Sequence, residues 1–166
     1  MPDCKVLVCN TGPIIALVAG TGSLEILRDL YEQVIVPYEV GRELLAKEGN
    51  LLGASQFIRA SWLDKRTEAV NASPFLVNSL DPGERAVVQV AVDEKIDTVC
   101  IDEAVGRRIA RLHGLKVTGS LGVLIRAKQL GHNLSIADTV ARMQHMGIRL
   151  GTSVINAALK LAGEAN

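Results

Sequence analysis

Four oxygen-bearing side chains in this 166-residue chain have the types and positions that a metal-dependent site requires: Asn10, Glu43, Glu84 and Asp102. Carboxylate and amide oxygens are the ligands that Mg²⁺ and Mn²⁺ prefer, and such an ion activates water and stabilises charge on a phosphoryl group. Two carboxylates ~4 Å apart repel by about 4 kcal/mol at an effective dielectric constant near 20, so an acidic cluster needs a cation. We therefore predict a divalent-metal site that acts on a nucleic-acid phosphodiester.

The elements that position these residues alternate between apolar strands and amphipathic helices. Buried strands are predicted at 5–9, 33–36, 98–101 and 115–117. Weaker patterns allow an edge strand at 62–65 and a last short strand at 148–150. Pro13 is predicted to begin the first helix, and Pro74 is predicted to break a helical pattern. The alternation predicts one domain, 1–166, with a three-layer α/β/α fold around a central, mostly parallel sheet of four to five strands.

This fold brings the candidate residues toward one edge of the sheet. Asn10 and Asp102 each follow a predicted strand, and ligands of open α/β sheets bind at the carboxyl ends of the strands. Glu84 falls on the apolar stripe 84, 87, 88 and 91 of a helix, so its side chain is expected to point toward the core. Glu43 lies on a predicted helix at 38–46.

Each of these residues also has an ordinary structural explanation. Asp81 and Glu84 fit a capping box, in which Asp81 is the N-cap and Glu84 reaches back to the Asp81 amide. Asp102 can cap the helix that follows it, Glu43 can be an exposed helix charge, and Asn10 can be a turn residue. Spacing alone does not choose between these roles and metal binding.

The net charge of zero hides a division along the chain. Residues 1–104 hold nine Lys and Arg against 16 Asp and Glu, a net charge of −7, and residues 105–166 hold nine against two, a net charge of +7. An acidic metal pocket beside a basic, phosphate-binding surface has this pattern, as does a self-complementary dimer or a solvated basic face.

The candidate nucleic-acid contacts lie in the basic part of the chain: Arg107, Arg108, Ser120 and Arg126. Arg107 and Arg108 could reach a phosphate or neutralise Glu103. Ser120 starts a predicted helix, so it could offer amides to a phosphate or act as a helix cap.

Composition argues against several classes of protein. The longest apolar runs, such as 14–19, stop well short of the ~18 residues of a membrane helix, so no membrane association and a cytoplasmic location are expected. Cys4, Cys9 and Cys100 lack metal-type spacing, and buried free thiols are expected for Cys9 and Cys100. Aromatic residues make up 3% of the chain, too few for a row of base-stacking platforms. A nucleotide-binding domain is disfavoured because no Gly-rich phosphate loop has the required spacing.

Five segments, in this order, resemble the PIN-domain family: 10–17 (NTGPIIAL), 37–44 (PYEVGREL), 80–84 (LDPGE), 101–107 (IDEAVGR) and 119–122 (GSLG). The similarity extends over nearly the whole chain and is closest to a branch near the VapC-type toxin ribonucleases. The resemblance implies an α/β/α domain with a metal-dependent nuclease site, usually directed at RNA. It also implies proteins that are often homodimers and often paired with a small antitoxin.

Carried over residue by residue, the resemblance puts Glu43, Glu84 and Asp102 where the family has acidic ligands for Mg²⁺ or Mn²⁺. Asn10 stands where active members usually have aspartate. An amide oxygen can bind a hard cation but brings no charge, so metal affinity is expected to fall. The chain is therefore predicted to be a metal-dependent endoribonuclease with these four catalytic and metal-binding residues. The alternative is a catalytically impaired PIN-like module that binds nucleic acid or a protein partner.

Overall fold

The structure is a computed structural model that describes residues 6–46 and 51–165. Its centre is a sheet of five parallel strands, which in chain order are β1 (Val6–Cys9), β2 (Gln33–Val36), β3 (Asp64–Lys65), β4 (Thr98–Cys100) and β5 (Lys116–Thr118). The spatial order is β3-β2-β1-β4-β5, so the first strand of the chain lies at the centre of the sheet. The predicted three-layer α/β/α fold with a parallel sheet of four to five strands is confirmed.

Ten helices within the described residues surround this sheet. They are α1 (Thr11–Thr21), α2 (Glu25–Leu30), α3 (Tyr38–Leu45), α4 (Ala54–Arg59), α5 (Pro74–Ser79), α6 (Pro82–Asp93), α7 (Ala104–Leu112), α8 (Ser120–Gln129), α9 (Ile136–His145) and α10 (Thr152–Leu161). Helices α1, α2, α8, α9 and α10 pack together, and α5, α6 and α7 form a second group. Helix α3, which carries Glu43, contacts both α1 and α6. In the described part of the chain, no helix has the length and apolar character needed to cross a membrane.

The central strands are buried on both faces, as expected for a parallel sheet. Leu7, Val8 and Cys9 of β1 are fully buried, and Cys9 lies opposite Cys100 of β4 in the β1–β4 register. Both cysteines are buried free thiols, as predicted. A hydrogen bond with the Cys9 thiol, together with burial, raises the pKa of the Cys100 thiol well above its usual value. Cys4 and the predicted start of β1 at Lys5 lie outside the described residues.

Two predictions about proline were wrong in detail. Helix α1 begins at Thr11 and not at Pro13, so Asn10 occupies its N-cap position. Pro74 does not break a helical pattern but begins α5, because proline lacks only an N–H that a first helical residue leaves unused. The Ser73 hydroxyl caps this helix by accepting a hydrogen bond from the Leu76 amide at 3.4 Å.

The predicted strand at 148–150 is absent, and the predicted edge strand at 62–65 is reduced to Asp64–Lys65. Helix α9 ends at His145, and Gly147, two residues further on, reverses the chain with a φ of +89°. The Ile148 amide then donates to the Met143 carbonyl at 2.9 Å. Segment 148–150 therefore completes a helix terminus, and its apolar side chains pack on the core without joining the sheet.

Glu164, which follows α10, connects the last three helices. Its carboxylate accepts hydrogen bonds from the amides of Ile136 (2.6 Å) and Ala137 (3.1 Å) and from the Ser135 hydroxyl (3.1 Å) at the start of α9. It also pairs with Lys128 of α8 at 2.6 Å. The Lys128 ammonium, helped by the two amides and the hydroxyl, lowers the pKa of Glu164 to about 2.

We expect Glu164→Gln to lower the free energy of unfolding at neutral pH by about 0.5–2 kcal/mol, the range for a lost helix cap. The folded state holds the pKa of Glu164 at about 2, below its ordinary 4.5, so the stabilisation exists above pH 4.5 and disappears as the pH falls toward 2. Denaturant titrations of the variant and wild type should therefore converge in acid. A gap that stays constant from neutral to acid pH would contradict this account. Glu32→Gln, at an exposed glutamate before β2, is the control.

Candidate active site

Asn10 and Asp102 leave the sheet at the same edge, as the sequence predicted. Strands β1 and β4 are parallel neighbours, and the backbone nitrogen of Asn10 donates a hydrogen bond to the Cys100 carbonyl at 3.0 Å. The Cβ of Asp102 lies 4.0 Å from the position that a Cβ on Gly12 would occupy. The first turn of α1 and the segment after β4 are therefore in contact at the carboxyl edge of the sheet.

The side chain of Asn10 is buried and lacks a structural role. Only 5% of Asn10 is exposed, and its side chain makes no capping hydrogen bond to α1. Among the described residues, its Oδ1 atom has no hydrogen-bond partner. An unsatisfied buried acceptor costs about 1–3 kcal/mol. A bound cation or water at this oxygen would remove that penalty.

Glu43 is held by two other elements, so it is not an ordinary exposed helix charge. The Thr11 hydroxyl of α1 donates to Oε2 of Glu43, and the Gly83 amide of α6 donates to Oε1 at 3.0 Å. Because Glu43 lies on α3, its carboxylate joins α1, α3 and α6. Both carboxylate oxygens are therefore engaged before any ligand binds.

The Glu84 carboxylate is buried at the start of α6. Asp81 caps α6, with its Oδ1 accepting from the Glu84 amide at 3.0 Å, and a backbone hydrogen bond with Asp81 acts on the Glu84 carboxylate in return, as the capping box predicted. Only 7% of Glu84 is exposed. Burial, followed by the negative charges of Asp81, Glu103 and Glu43, raises the pKa of Glu84 to about 7. Of the candidate carboxylates, this one gains most from a cation.

Asp102 does not cap α7, the helix that follows it. Glu103 occupies that N-cap position, and Asp102 Oδ1 instead accepts a hydrogen bond from the Ser120 amide, at 2.8 Å, at the start of α8. The prediction that Ser120 caps α8 is wrong, because Gly119 is the N-cap and Ser120 is the first helical residue. The hydrogen bond from the Ser120 amide engages only one of the two Asp102 carboxylate oxygens.

Three glycines leave room for the three carboxylates. The pairs are Gly83 with Glu43, Gly106 with Glu84, and Gly119 with Asp102. A Cβ on these glycines would lie 2.6, 2.9 and 2.6 Å, respectively, from a carboxylate oxygen of the partner. Real Cβ atoms do not approach so closely, so each carboxylate occupies space that an alanine would fill.

We expect Gly83→Ala to separate activity from stability. Alanine is favoured over glycine in a helix by up to about 1 kcal/mol, so the free energy of unfolding should not fall. Because the new Cβ meets only the Glu43 carboxylate, Glu43 must move, and a misplacement of about 1 Å can reduce a rate about 100-fold. Gly41→Ala is the matched control, since its Cβ would contact only the Phe57 ring, at 3.4 Å or more. Full activity in a folded Gly83→Ala protein would contradict a role for the position of Glu43.

The predicted nucleic-acid contacts do not lie together. Arg107 is half-buried beside Asp102, where its Nη1 donates to the Ile101 carbonyl at 2.9 Å, and Arg108 is exposed one residue further along α7. Ser120 is only 1% exposed, and among the described atoms its hydroxyl oxygen has no partner.

Arg126 lies away from the site. Its guanidinium carbon is 5.6 Å from the centre of the Tyr31 ring. Tyr31 precedes β2 and lines an open pocket of about 400 Å³, together with Glu32 and Trp62. Arg126 is therefore at the amino ends of the strands, opposite the candidate site.

The donor set fits a hard cation that has few protein ligands. All four candidates provide oxygen, and Asn10 Oδ1 has no hydrogen-bond partner in the described part of the chain. Within residues 6–46 and 51–165, however, no group of three His, Cys, Asp or Glu side chains is arranged to hold a metal ion. Mg²⁺ commonly binds one or two carboxylates and completes its octahedron with waters and substrate phosphates. The site resembles that arrangement and not an all-protein cage.

Sequence reasoning missed the residues that hold the carboxylates in position. Thr11, Gly83, Gly106 and Gly119 all lie in the segments that carried the family resemblance, but residue type alone does not reveal a contact across the fold. Glu103 was considered only as a partner for arginine, although its charge reaches Glu84.

A family model described as PIN domain matches residues 6–164. Neither the search of curated proteins nor the search of solved structures gives a match.

Proposed function

Because the chain belongs to the PIN-domain family, whose fold is of a nuclease type and whose members generally use divalent metal ions, we propose that it is a metal-dependent endoribonuclease. It would hydrolyse RNA phosphodiester bonds with Mg²⁺ or Mn²⁺. The observation that carries this proposal is the buried Asn10 Oδ1 atom, which has no hydrogen-bond partner among the described residues and lies where the start of α1 meets Asp102 at the carboxyl edge of the sheet.

We assign metal binding to Glu84, Asp102 and Asn10, with Glu43 held beside them. When bound, the ion would supply an activated water and offset the charge that develops on the phosphoryl group. Glu84 would contribute a buried carboxylate and Asp102 the oxygen that the Ser120 amide does not use. Glu43, anchored through both oxygens, sets the spacing between α3 and the start of α6.

We propose that the start of α7 binds the RNA backbone, because Arg107 and Arg108 follow Asp102 there. Arg107 uses Nη1 to bond the Ile101 carbonyl, which fixes its guanidinium near the carboxylates. A fixed guanidinium binds phosphate with less loss of side-chain freedom than a mobile one. For Ser120 we propose an indirect role, through its amide bond to Asp102, because its side chain is buried. Arg126 could contact only a longer RNA that reaches the opposite edge.

The test is cleavage of a mixed RNA pool by the purified protein. Cleavage is expected with Mn²⁺, none with EDTA, and recovery when Mn²⁺ is added in excess. Binding should weaken with salt by a slope of about −0.7 per phosphate contact, and Arg108→Ala should reduce that slope. A folded protein that cleaves no RNA in either metal, even as Asn10→Asp, would exclude the function.

A second candidate is a catalytically impaired PIN-like module that binds nucleic acid or a protein partner. Two observations favour it: the neutral Asn10 amide, and the engagement of both Glu43 oxygens by Thr11 and Gly83. It predicts RNA binding in a gel-shift assay without cleavage at any Mn²⁺ concentration. The two candidates differ in a single readout, the appearance of new RNA ends.

The narrower predictions remain proposals. The resemblance implied a place in the VapC-type branch, a toxin role, a homodimer and a small antitoxin partner, and composition suggested a cytoplasmic location. Support for a protein partner comes from the Phe75 and Leu112 side chains, which are 55% and 75% exposed. His113, next to Leu112, packs its ring 5.9 Å from that of Phe75, so the two apolar side chains belong to one surface region. Light scattering of the purified chain, with Leu112→Ser as a variant, tests the homodimer.

A further inference from the structure

Helices α5 and α7 form a surface beside the candidate site that is both basic and apolar. The exposed large side chains of α7 lie along one stripe of the helix, and the His113 ring, just after α7, lies 5.9 Å from the Phe75 ring of α5. We call this surface the α5–α7 face, and its residues are Phe75, Val105, Arg108, Arg111, Leu112 and His113. Because α7 begins two residues after Asp102, one end of the face lies at the site.

The charges on the α5–α7 face are positive. Neither α5 nor α7 contains an acidic residue. Within residues 6–46 and 51–165, Arg108 and Arg111 form no ion pair, and neither Arg107 nor Arg108 pairs with Glu103. The acidic residues that flank these helices most closely in sequence, Glu103 and Asp81, lie at the end of the face that meets the site. The rest of the face therefore favours a polyanion.

Phe75 provides a flat apolar surface at the end of the face that is far from the site. Phe75 is 55% exposed, whereas the other aromatic side chains, all of which lie in the described part of the chain, are buried or partly buried. The His113 ring beside it is fixed, because its Nδ1 atom donates to the Ile109 carbonyl at 2.9 Å. The unstacked bases of single-stranded RNA stack on exposed aromatic rings, largely without regard to sequence.

We propose that the α5–α7 face binds single-stranded RNA next to the candidate site, with phosphates on Arg108 and Arg111 and an unstacked base on Phe75. The inference rests on the proposed function, because it takes RNA as the substrate of that site. A helix rises 1.5 Å per residue, so Leu112 lies about 12 Å beyond Ala104 and a few nucleotides cover the face. The bases of a duplex are already stacked and paired, so a duplex cannot make the contact with Phe75. The face therefore selects single strands.

A second copy of the chain is the other occupant that the apolar side chains allow. It would cover Phe75 and Leu112, which are the most exposed apolar side chains of the face. The position of the arginines favours RNA, because Arg108 and Arg111 lie between the site and the Phe75 ring. An RNA strand whose phosphodiester enters the site passes the start of α7, so the exposed guanidinium groups lie along its path. Contact between two copies does not require this alignment.

The experiment measures the binding of fluorescein-labelled oligouridine to the full chain by fluorescence anisotropy. It is done in EDTA, which prevents metal-dependent cleavage, and in Mn²⁺ with a hydrolysis-resistant phosphorothioate oligouridine. We expect Phe75→Ala to weaken binding about tenfold, the effect of losing one stacked base, and Phe75→Trp to retain it. Ile58→Ala is the matched control, because Ile58 of α4 is 57% exposed, and it should bind as wild type does. Thermal melts check that each variant is folded.

Arg111→Gln tests the phosphate contact. It should weaken binding and reduce the slope of the salt dependence by about 0.7, the value for one phosphate contact with a single strand. Arg149→Gln, at an exposed arginine after α9, is the control and should change neither quantity. An unchanged slope in Arg111→Gln overturns the role of Arg111.

Two readouts identify the contact at Phe75 as stacking. Phe75→Ala should have the affinity of wild type for a duplex RNA, whose bases are not available. In Phe75→Trp, RNA should quench the indole fluorescence more than it does in wild type, where the single tryptophan, Trp62, lines the pocket at the opposite edge of the sheet. Equal losses of affinity for single-stranded and duplex RNA would overturn stacking.

The outcomes separate this inference from the proposed function. If Phe75→Ala and wild type bind oligouridine equally, the α5–α7 face is not an RNA-binding surface and the nuclease proposal stands. If light scattering shows a wild-type dimer that dissociates in Phe75→Ala while RNA affinity is unchanged, the face belongs to a second copy and the inference is overturned. Weakened binding in Phe75→Ala, with no cleavage of RNA by wild type in Mn²⁺, supports the inference and overturns the nuclease. A wild-type protein that binds no RNA in either condition overturns both.

Discussion

Glu84→Gln is expected to abolish RNA cleavage and, at the same time, to stabilise the metal-free protein. A ligand carboxylate that helps to hold the catalytic ion supports several kcal/mol of transition-state stabilisation, so its loss should reduce the rate by at least about 100-fold. Glutamine keeps the shape of the side chain and removes its charge. The measurement is the single-turnover rate of RNA cleavage in saturating Mn²⁺, compared with wild type and with Glu32→Gln.

The gain in stability follows from the environment of the carboxylate. Burial and three neighbouring acidic residues raise the pKa of Glu84 from 4.5 to about 7, so its ionisation opposes folding. The destabilisation is absent below pH 4.5, grows as the pH rises, and is complete above about 7. In EDTA the variant should therefore exceed wild type by about 2 kcal/mol at pH above 7 and by little near pH 4.5. A less stable variant at neutral pH would show that Glu84 has a structural role.

Asn10→Asp is expected to raise Mn²⁺ affinity and cleavage, each by about tenfold or more. The side chain is 95% buried beside Asp102, where a full charge interacts with a dication more strongly than an amide dipole does. The same burial makes the metal-free variant less stable, because an ionised aspartate loses its hydration without a counter-charge. Mn²⁺ should therefore raise the melting temperature of Asn10→Asp by more than that of wild type.

The control for this substitution is Asn133→Asp, which makes the same chemical change at an exposed position before α9. It should alter neither metal affinity nor the rate. If Asn10→Asp binds Mn²⁺ more tightly but cleaves no RNA, the site is a metal-binding remnant and the second candidate function is favoured. If affinity does not change, Asn10 does not contact the ion.

The fold was largely predictable because it depends on patterns that repeat along the chain. The apolar run before Asn10 and the apolar run before Asp102 can only be buried strands, and helices between them require parallel pairing. The errors lie where one local interaction outweighs a pattern. The left-handed backbone of Gly147, just after α9, takes 148–150 out of the sheet, and Ser73 with Pro74 starts a helix where proline suggested an interruption.

The site was predictable in its members but not in how they are held. The sequence indicated Asn10, Glu43, Glu84 and Asp102, and the fold places Asn10 and Asp102 on neighbouring strands as expected. The sequence did not indicate that Thr11 and Gly83 would form hydrogen bonds to Glu43, or that the Ser120 amide would bond Asp102. Such bonds join residues far apart in the chain, so no local periodicity encodes them. The position of Arg126 was not predictable for a similar reason, because its contact with Tyr31 across the fold is what places it at the opposite edge.

The position of β1 at the centre of the sheet bears on when the protein becomes active during its synthesis. Strand β1 leaves the ribosome first, but its neighbour β4 begins only at Thr98, and the Asp102 carboxylate is fixed only when the Ser120 amide is present. The site therefore cannot assemble in a nascent chain until synthesis has passed Ser120. Under the proposed function, a nascent chain that ends before Ser120 lacks a complete site with which to cleave RNA.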